Sequence, residues 1–165
     1  MPRTYSFERT QLIRRPLAET FAFFAEPANL ERITPEFLGF QILTPQPVAM
    51  RAGTLIDYKL RLFGMPLGWR TLIDSFEPPF RFSDTQVRGP YRLWHHEHEF
   101  SEAPEGTWMV DRVWYQLPLG QLGRLAHGLF VGRTLKRIFD HRYQAIQRLL
   151  SPTAAALPET PAGRW

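Results

Sequence analysis

The sequence predicts an α+β domain: one antiparallel sheet covered by a long C-terminal helix, with two short helices after the first strand. Three observations predict it. Segments between residues 54 and 117 alternate apolar and polar side chains with period 2, as half-buried strands do. The connections between them are short and carry Gly or Pro, as hairpins do. From about Gly120 the period changes to three- and four-residue steps, the spacing of one helix face.

Taken in order, Tyr5 to Ile13 is a mixed strand whose buried face the sequence does not decide. Pro16 suits the first turn of a helix, and Leu17, Phe21 and Phe24 recur at i, i+4 and i+7 before Pro27. Asn29 to Ile33 is a second short helix ending before Pro35, and Phe40 to Leu43 a short strand. From Thr54 to Leu62 the residues Ile56, Tyr58, Leu60 and Leu62 share one face. Gly64 and Pro66 are expected to break the chain, with a strand resuming over Trp69 to Phe76 and Pro78-Pro79 ending it. Phe80 opens the next strand, and Gly89-Pro90 turns it into Trp94 to Phe100. A loop from Ser101 to Gly106 then leads to Thr107 to Leu117, with Thr107, Met109, Asp111, Val113 and Tyr115 on one face. The helix beyond Gly120 spans roughly 45 Å, with Leu122, Leu125, Leu129, Leu135, Phe139, Ile146 and Leu149 as its apolar stripe. Leu125, Leu129, Leu135, Phe139 and Ile146 are expected inward, Arg124 and Arg148 in solvent. Gly123, Gly128 and Gly132 weaken its first half. Residues 1–150 make one domain, and residues 151–165, rich in Pro and Ala without periodicity, read as a flexible tail.

Composition narrows the function classes. The chain has 165 residues, 44% hydrophobic and 22% charged, as an ordinary globule has. With no Cys, a disulfide framework, thiolate catalysis and Cys-ligated zinc or iron-sulfur centres are excluded. The N-terminus has no apolar targeting core and no run approaches a membrane span, so a cytoplasmic protein is expected. The +4 formal charge sits in residues 121–150, which hold six Lys or Arg against Asp140. No nucleic-acid-binding motif accompanies it, so no nucleic-acid partner is expected. The basic helix would attract an anionic ligand or lipid headgroup at a membrane surface, or is simply a solvated face. Nothing in the sequence speaks to oligomeric state.

The stretch FRFSDTQVRGPYRLWHHEHEF, residues 80–100, carries the chemistry. Alternation places Trp94, His96, His98 and Phe100 on one face and His95, Glu97 and Glu99 on the other. Two bulky aromatics mark the first face as interior, so two imidazoles line an apolar space. Pairing across the 101–106 loop places Phe100 opposite Thr107, His98 opposite Met109, His96 opposite Asp111 and Trp94 opposite Val113. Asp84 and Gln86, which share a face with Phe82, join the cluster. Such a set contacts a ligand, transfers protons as an Asp-oriented His does, or is a satisfied internal network. Tyr58, Trp69, Tyr91, Trp94 and Tyr115 offer aromatic walls with polar tips for a small-molecule cavity, or plain core. His96, His98 and Asp111 are the N/O donors that could meet at a metal, but strand alternation argues against a compact site, and no metal and no cofactor is expected. Ser75 and Ser83 lack a nucleophile elbow.

The element order resembles the START-like superfamily, whose helix-grip plan is shared by the birch pollen allergen, polyketide cyclases and lipid-transfer domains. The run from Pro79 and Phe80 through Asp84, Gln86, Gly89-Pro90-Tyr91, Trp94, His96, His98 and Phe100 to Thr107, Asp111, Tyr115 and Pro118-Leu119-Gly120 is similar to the bacterial ligand-binding SRPBCC proteins. The resemblance covers about residues 4–150. It implies a curved sheet gripping the long helix, a cavity between them, and a small-molecule or lipid-like ligand with a polar group. It does not imply a reaction. In an enzymatic version, cyclase- or dehydratase-like, His96 with Asp111 is the general base and Tyr115 or His98 the proton donor. A side-chain-filled cavity beside an exposed apolar patch would instead favour a partner module.

Overall fold

Seven strands build one sheet in the computed structural model: β1 (Thr4–Ile13), β2 (Gln41–Ile42), β3 (Leu55–Leu62), β4 (Met65–Glu77), β5 (Arg81–Arg88), β6 (Leu93–Ala103) and β7 (Gly106–Gln116). The structure describes residues 3–62, 64–120, 123, 125 and 127–150. The spatial order is β1-β7-β6-β5-β4-β3-β2, antiparallel throughout. Helices α1 (Leu17–Phe24) and α2 (Ala28–Ile33), with a 3-10 turn at Glu36–Leu38, carry the chain from one edge of the sheet to the other. A π-helical turn, His127–Val131, precedes α3 (Gly132–Leu150). This is the expected α+β helix-grip architecture, a curved antiparallel sheet around a long C-terminal helix. No helix among the described residues is long and apolar enough to cross a membrane.

Local chemistry accounts for the elements. Pro16 precedes α1 at φ −56°, and the helix buries Leu17, Phe21 and Phe24, the stripe the sequence displayed, together with Thr20. On β1 the undecided face resolves to the odd positions: Gln11 and Ile13 are buried, and Tyr5 and Phe7 partly so. Register shifts between Arg70 and Thr71 and between Ile73 and Ser75 interrupt the β4-β5 ladder, and such bulges bend and twist a strand.

Three expectations are corrected. Gly64 and Pro66 do not interrupt the sheet: Gly64, at φ +79°, lies in the hairpin turn, and Met65 already pairs with Leu62. The β6-β7 register is shifted by two residues, because both strands run further into the turn than expected and Ala103 pairs with Gly106. Gly106 adopts φ +146°, and a Cβ there would lie 2.2 Å from the Ile13 carbonyl, so β1 leaves no room for a side chain at this turn. The third correction concerns the helix: Leu125 and Leu129 are 60% and 58% exposed. Six residues separate Leu129 from Leu135, about 240° around a helix of 3.6 residues per turn, so the two cannot share a face. The inward stripe is Val131, Leu135, Phe139, Arg142 and Ile146, stepping by four, four, three and four. Arg148 is exposed as expected, whereas Leu122, Arg124 and residues 151–165 lie outside the described residues.

The helix seals two apolar clusters against the sheet. One joins Ile146 and Ala145 to Phe21, Phe24, Phe82, Phe100 and Met109. The other joins Val131, Leu135 and Phe139 to Val113 and Tyr115. Burying each large side chain contributes roughly 1.5–3 kcal/mol, so this interface dominates the fold's stability. Polar contacts add orientation along β1. Arg9 pairs with Asp140, Gln11 Nε2 donates to the Tyr143 carbonyl (3.0 Å), Gln147 Nε2 to the Leu12 carbonyl (3.0 Å) and Arg15 Nε to the Leu150 carbonyl (3.1 Å).

Candidate functional site

Strand alternation sends Trp94, His96, His98 and Phe100 of β6 inward, and both histidines are buried. His95 and Glu97 are partly exposed on the other face, and Glu99 fully. Pairing then sets their neighbours. His96 lies opposite Asp84 of β5 and Val113 of β7, while His98 lies opposite Phe82 and Asp111. The expected pairing of His96 with Asp111, His98 with Met109, Phe100 with Thr107 and Trp94 with Val113 is thus corrected: Asp111 faces His98, Met109 faces Phe100, and Tyr115 faces Trp94. Because the shift is even, every side chain keeps its predicted face.

The result is a closed ring of four groups. Asp111 Oδ1 lies 3.3 Å from His96 Nε2, a diagonal hydrogen bond, and 2.7 Å from His98 Nδ1, an ionic contact without hydrogen-bond alignment. Asp84 Oδ2 faces the other edge of both rings, 3.9 Å from His96 Nδ1 and 3.7 Å from His98 Nε2. The imidazole centroids are 3.9 Å apart, with Phe82 stacked on His98 at 4.2 Å. Thr71 Oγ1 donates to Asp84 Oδ1 (3.0 Å). From α3, Arg142 brings Nε to 3.7 Å from Asp111 Oδ2, with no hydrogen-bond partner for that nitrogen among the described residues.

Burial and charge oppose each other here. Burial lowers the His96 pKa to about 4, helped by repulsion from His98. Burial also opposes ionisation of His98, but the two carboxylates outweigh it and raise that pKa. Asp84 and Asp111 are pushed up by burial and pulled down further by the hydrogen bonds and charges around them, from His98, His96 and Thr71 for Asp84 and from Arg142 and both histidines for Asp111, so the net shift of each is downward.

The ring floors a cavity of about 200 Å³ between sheet, α2 and α3. Asp84, His96, His98 and Arg142 form a polar cluster on its lining, Glu26, Asn29 and Thr34 add polar groups from the α1-α2 side, and Tyr58, Trp69, Tyr91 and Trp94 make an aromatic wall. Trp69 stacks on Tyr58 (5.8 Å) and meets Trp94 edge-on (5.4 Å). Trp69 Nε1 is buried with no hydrogen-bond partner among the described residues. Burial, and then Asp84, hold the Tyr58 phenol well above its ordinary pKa.

The remaining sequence candidates are not on the cavity lining. Gln86 lies at the β5-β6 turn, donating Nε2 to the Tyr91 carbonyl (2.7 Å) and accepting from Tyr91 N (3.2 Å). A Cβ on Gly89 would meet that side chain at 2.4 Å, so the clamp requires glycine there. Asp111 stands behind the histidines, and Tyr115 belongs to the second apolar cluster, its phenol pushed up to about 12 by burial.

Neither family models nor the sequences of curated proteins match this chain. Solved structures do. A protein from Chromobacterium violaceum is similar at 13% identity and TM-score 0.69, over 90% of this chain and 98% of its own. Ara h 8.0201 is similar at 15% identity and TM-score 0.61 over 89% and 97%, and the ginseng major latex-like protein 151 from Panax ginseng at 10% and 0.66 over 90% and 99%. The chain has the START-like (SRPBCC) fold.

Within this START-like frame one residue of the site, Arg142, and one beside the second apolar cluster, His127, escaped the sequence reading. Arg142 was counted with the basic helix surface, although its spacing from Phe139 and Ile146 puts it on the apolar stripe. His127, in the π turn, accepts or donates at Nε2 with the Tyr115 hydroxyl (2.8 Å) and stacks on Tyr5 at 3.7 Å. Nothing in its local pattern marked it.

Proposed function

We propose that this START-like domain, taken as residues 1–150, binds a small, partly apolar molecule carrying one polar group. The observation that carries the reading is the lopsided cavity: a largely apolar and aromatic enclosure in which the ionisable groups Asp84, His96, His98 and Arg142 cluster on the sheet-helix side, with Glu26, Asn29 and Thr34 on the α1-α2 side. Such a site orients a ligand by its one hydrogen-bonding end and holds the rest by apolar burial. Trp69 Nε1 supplies a second donor at the aromatic wall. Native mass spectrometry of protein purified from its own host tests the reading, with a co-purifying small molecule expected. Trp69 and Trp94 serve as reporters: binding should change their fluorescence, and Trp69→Phe with Trp94→Phe should remove that change. A cavity that takes up neither a host metabolite nor amphiphilic probes overturns it.

A cyclase- or dehydratase-like enzyme is the second reading, favoured by the close His98 and Asp111 contact in a ring that faces the cavity. Turnover separates the two. A binder returns its ligand unchanged, while an enzyme releases product at substoichiometric protein and loses it in Asp111→Asn.

A further inference from the structure

We propose that Asp84, His96 and His98 form a binding site for a divalent transition-metal ion of the zinc class, with Asp111 as the positioning carboxylate behind both histidines. The inference goes beyond the ligand reading and does not depend on it. Sequence reasoning expected no metal, because alternation argues against a compact site, and it named Asp111 as the third donor beside His96 and His98. The observed pairing gives that role to Asp84.

Three observations carry the proposal. First, one donor atom from each of Asp84, His96 and His98 lies within 4.8 Å of the other two. Asp84 Oδ2 stands 3.9 Å from His96 Nδ1 and 3.7 Å from His98 Nε2, too far for hydrogen bonds. Two ligands on a tetrahedral ion with bonds of about 2.0–2.1 Å are about 3.4 Å apart, close to this spacing. Second, the far nitrogen of each ring, His96 Nε2 at 3.3 Å and His98 Nδ1 at 2.7 Å, faces the same Asp111 oxygen. A metal-bound imidazole usually donates its other ring N–H to a carboxylate, a backbone carbonyl or water, which fixes its tautomer and orientation, and Asp111 is placed for that role. Third, Thr71 occupies Asp84 Oδ1, leaving Oδ2 as the oxygen turned towards both rings.

Charge points the same way. Two carboxylates, Asp84 and Asp111, stand against one permanent cation, Arg142, so the site offers an incoming ion anionic partners. Asp84 and the histidines line the cavity, so an ion on three protein ligands keeps a position open to an oxygen donor such as a carboxylate or enolate.

The test uses the full chain, stripped with chelator, without organic ligand. Titration with Zn2+ by calorimetry and with Co2+ by visible absorption should show one ion per chain, with a spectrum of low-coordinate cobalt. Asp84→Asn, His96→Gln and His98→Gln should each weaken binding by more than 100-fold. Asp111→Asn should weaken it by about 10- to 100-fold, and the outward His95→Gln should leave it unchanged. Should a variant fail to fold by circular dichroism, ring-nitrogen shifts of the wild type under Zn2+ must identify His96 Nδ1 and His98 Nε2 as the ligands. Absence of stoichiometric uptake, or uptake that survives Asp84→Asn and falls in His95→Gln, overturns the site. Because no organic molecule is present, that failure leaves the ligand reading standing, and failure of the ligand reading leaves this one standing.

Discussion

On the outer face of β6, His95 lies 3.4 Å from Asp74 and 3.3 Å from Glu97, and Glu99 pairs with Arg112. One residue along, on the inner face, His96 and His98 lie between Asp84 and Asp111 at comparable distances. Both sets place imidazole beside carboxylates, one His with Asp74 and Glu97 outside and two with Asp84 and Asp111 inside, and the solvent differs. Outer partners such as Glu97, with 43% of its side chain exposed, exchange protein contacts for water at little cost. Inner partners, with 5–16% of their side chains exposed, have far less access to solvent, so each depends on the others for charge balance. The comparison teaches that the alternation of one strand divides identical chemistry into a decorative set and a committed one.

Removing the inner carboxylate tests this most severely. Asp111→Ala leaves Arg142 and two imidazoles facing a buried gap, and denaturant unfolding should show a loss of about 3–5 kcal/mol. A loss under about 1 kcal/mol would place the ring with the outer set.

His127 is an intermediate case, half-buried against Tyr115 and Tyr5. Burial and then the Arg3 charge lower its pKa, so the unfolded chain takes up the proton first as pH falls past about 6.5. Stability from this group is therefore full above that pH and declines below it, across the window between the unfolded and the lowered folded value. The difference in thermal midpoint between wild type and His127→Gln should shrink on acidification, and an NMR titration should place the ring below the ordinary histidine value. A pH-independent difference would sink the assignment.

The smallest effect belongs to the outer face. Glu97→Gln should change stability by no more than about 1 kcal/mol, less at high salt. A larger loss would mean that the outer set, too, is coupled.

How far the sequence foretold this ring depends on which link is asked for. Faces were legible, because a period of 2 over Trp94 to Phe100 needs no partner to be read. Pairing was not: whether Phe100 meets Thr107 or Met109 depends on how tightly the chain turns at Ala103 and Gly106. That tightness depends on the approach of Ile13, some ninety residues earlier. Asp84 was placed correctly because the β5-β6 turn is short, whereas Gln86, two residues on, is consumed by the turn itself. In the helix, the six-residue gap between Leu129 and Leu135 contradicted a continuous stripe, and Arg142 was hidden by being one cation among many. Burial of a charge is decided by what stands opposite it, and a single chain segment does not display that.

The stitching of β1 to α3 has a consequence for synthesis. Its four side-chain links join residues 131 to 135 positions apart. At about 5–20 residues per second, the strand that leaves the ribosome first waits roughly 7–26 s for its helical partner. Its sheet partner, β7, also comes late. Until β7 arrives, Tyr5, Phe7 and Ile13 lie on an unpaired, half-apolar segment in a chain dominated by distant contacts, which fold slowly. The nascent protein therefore resembles an open clasp, closed only by its last helix.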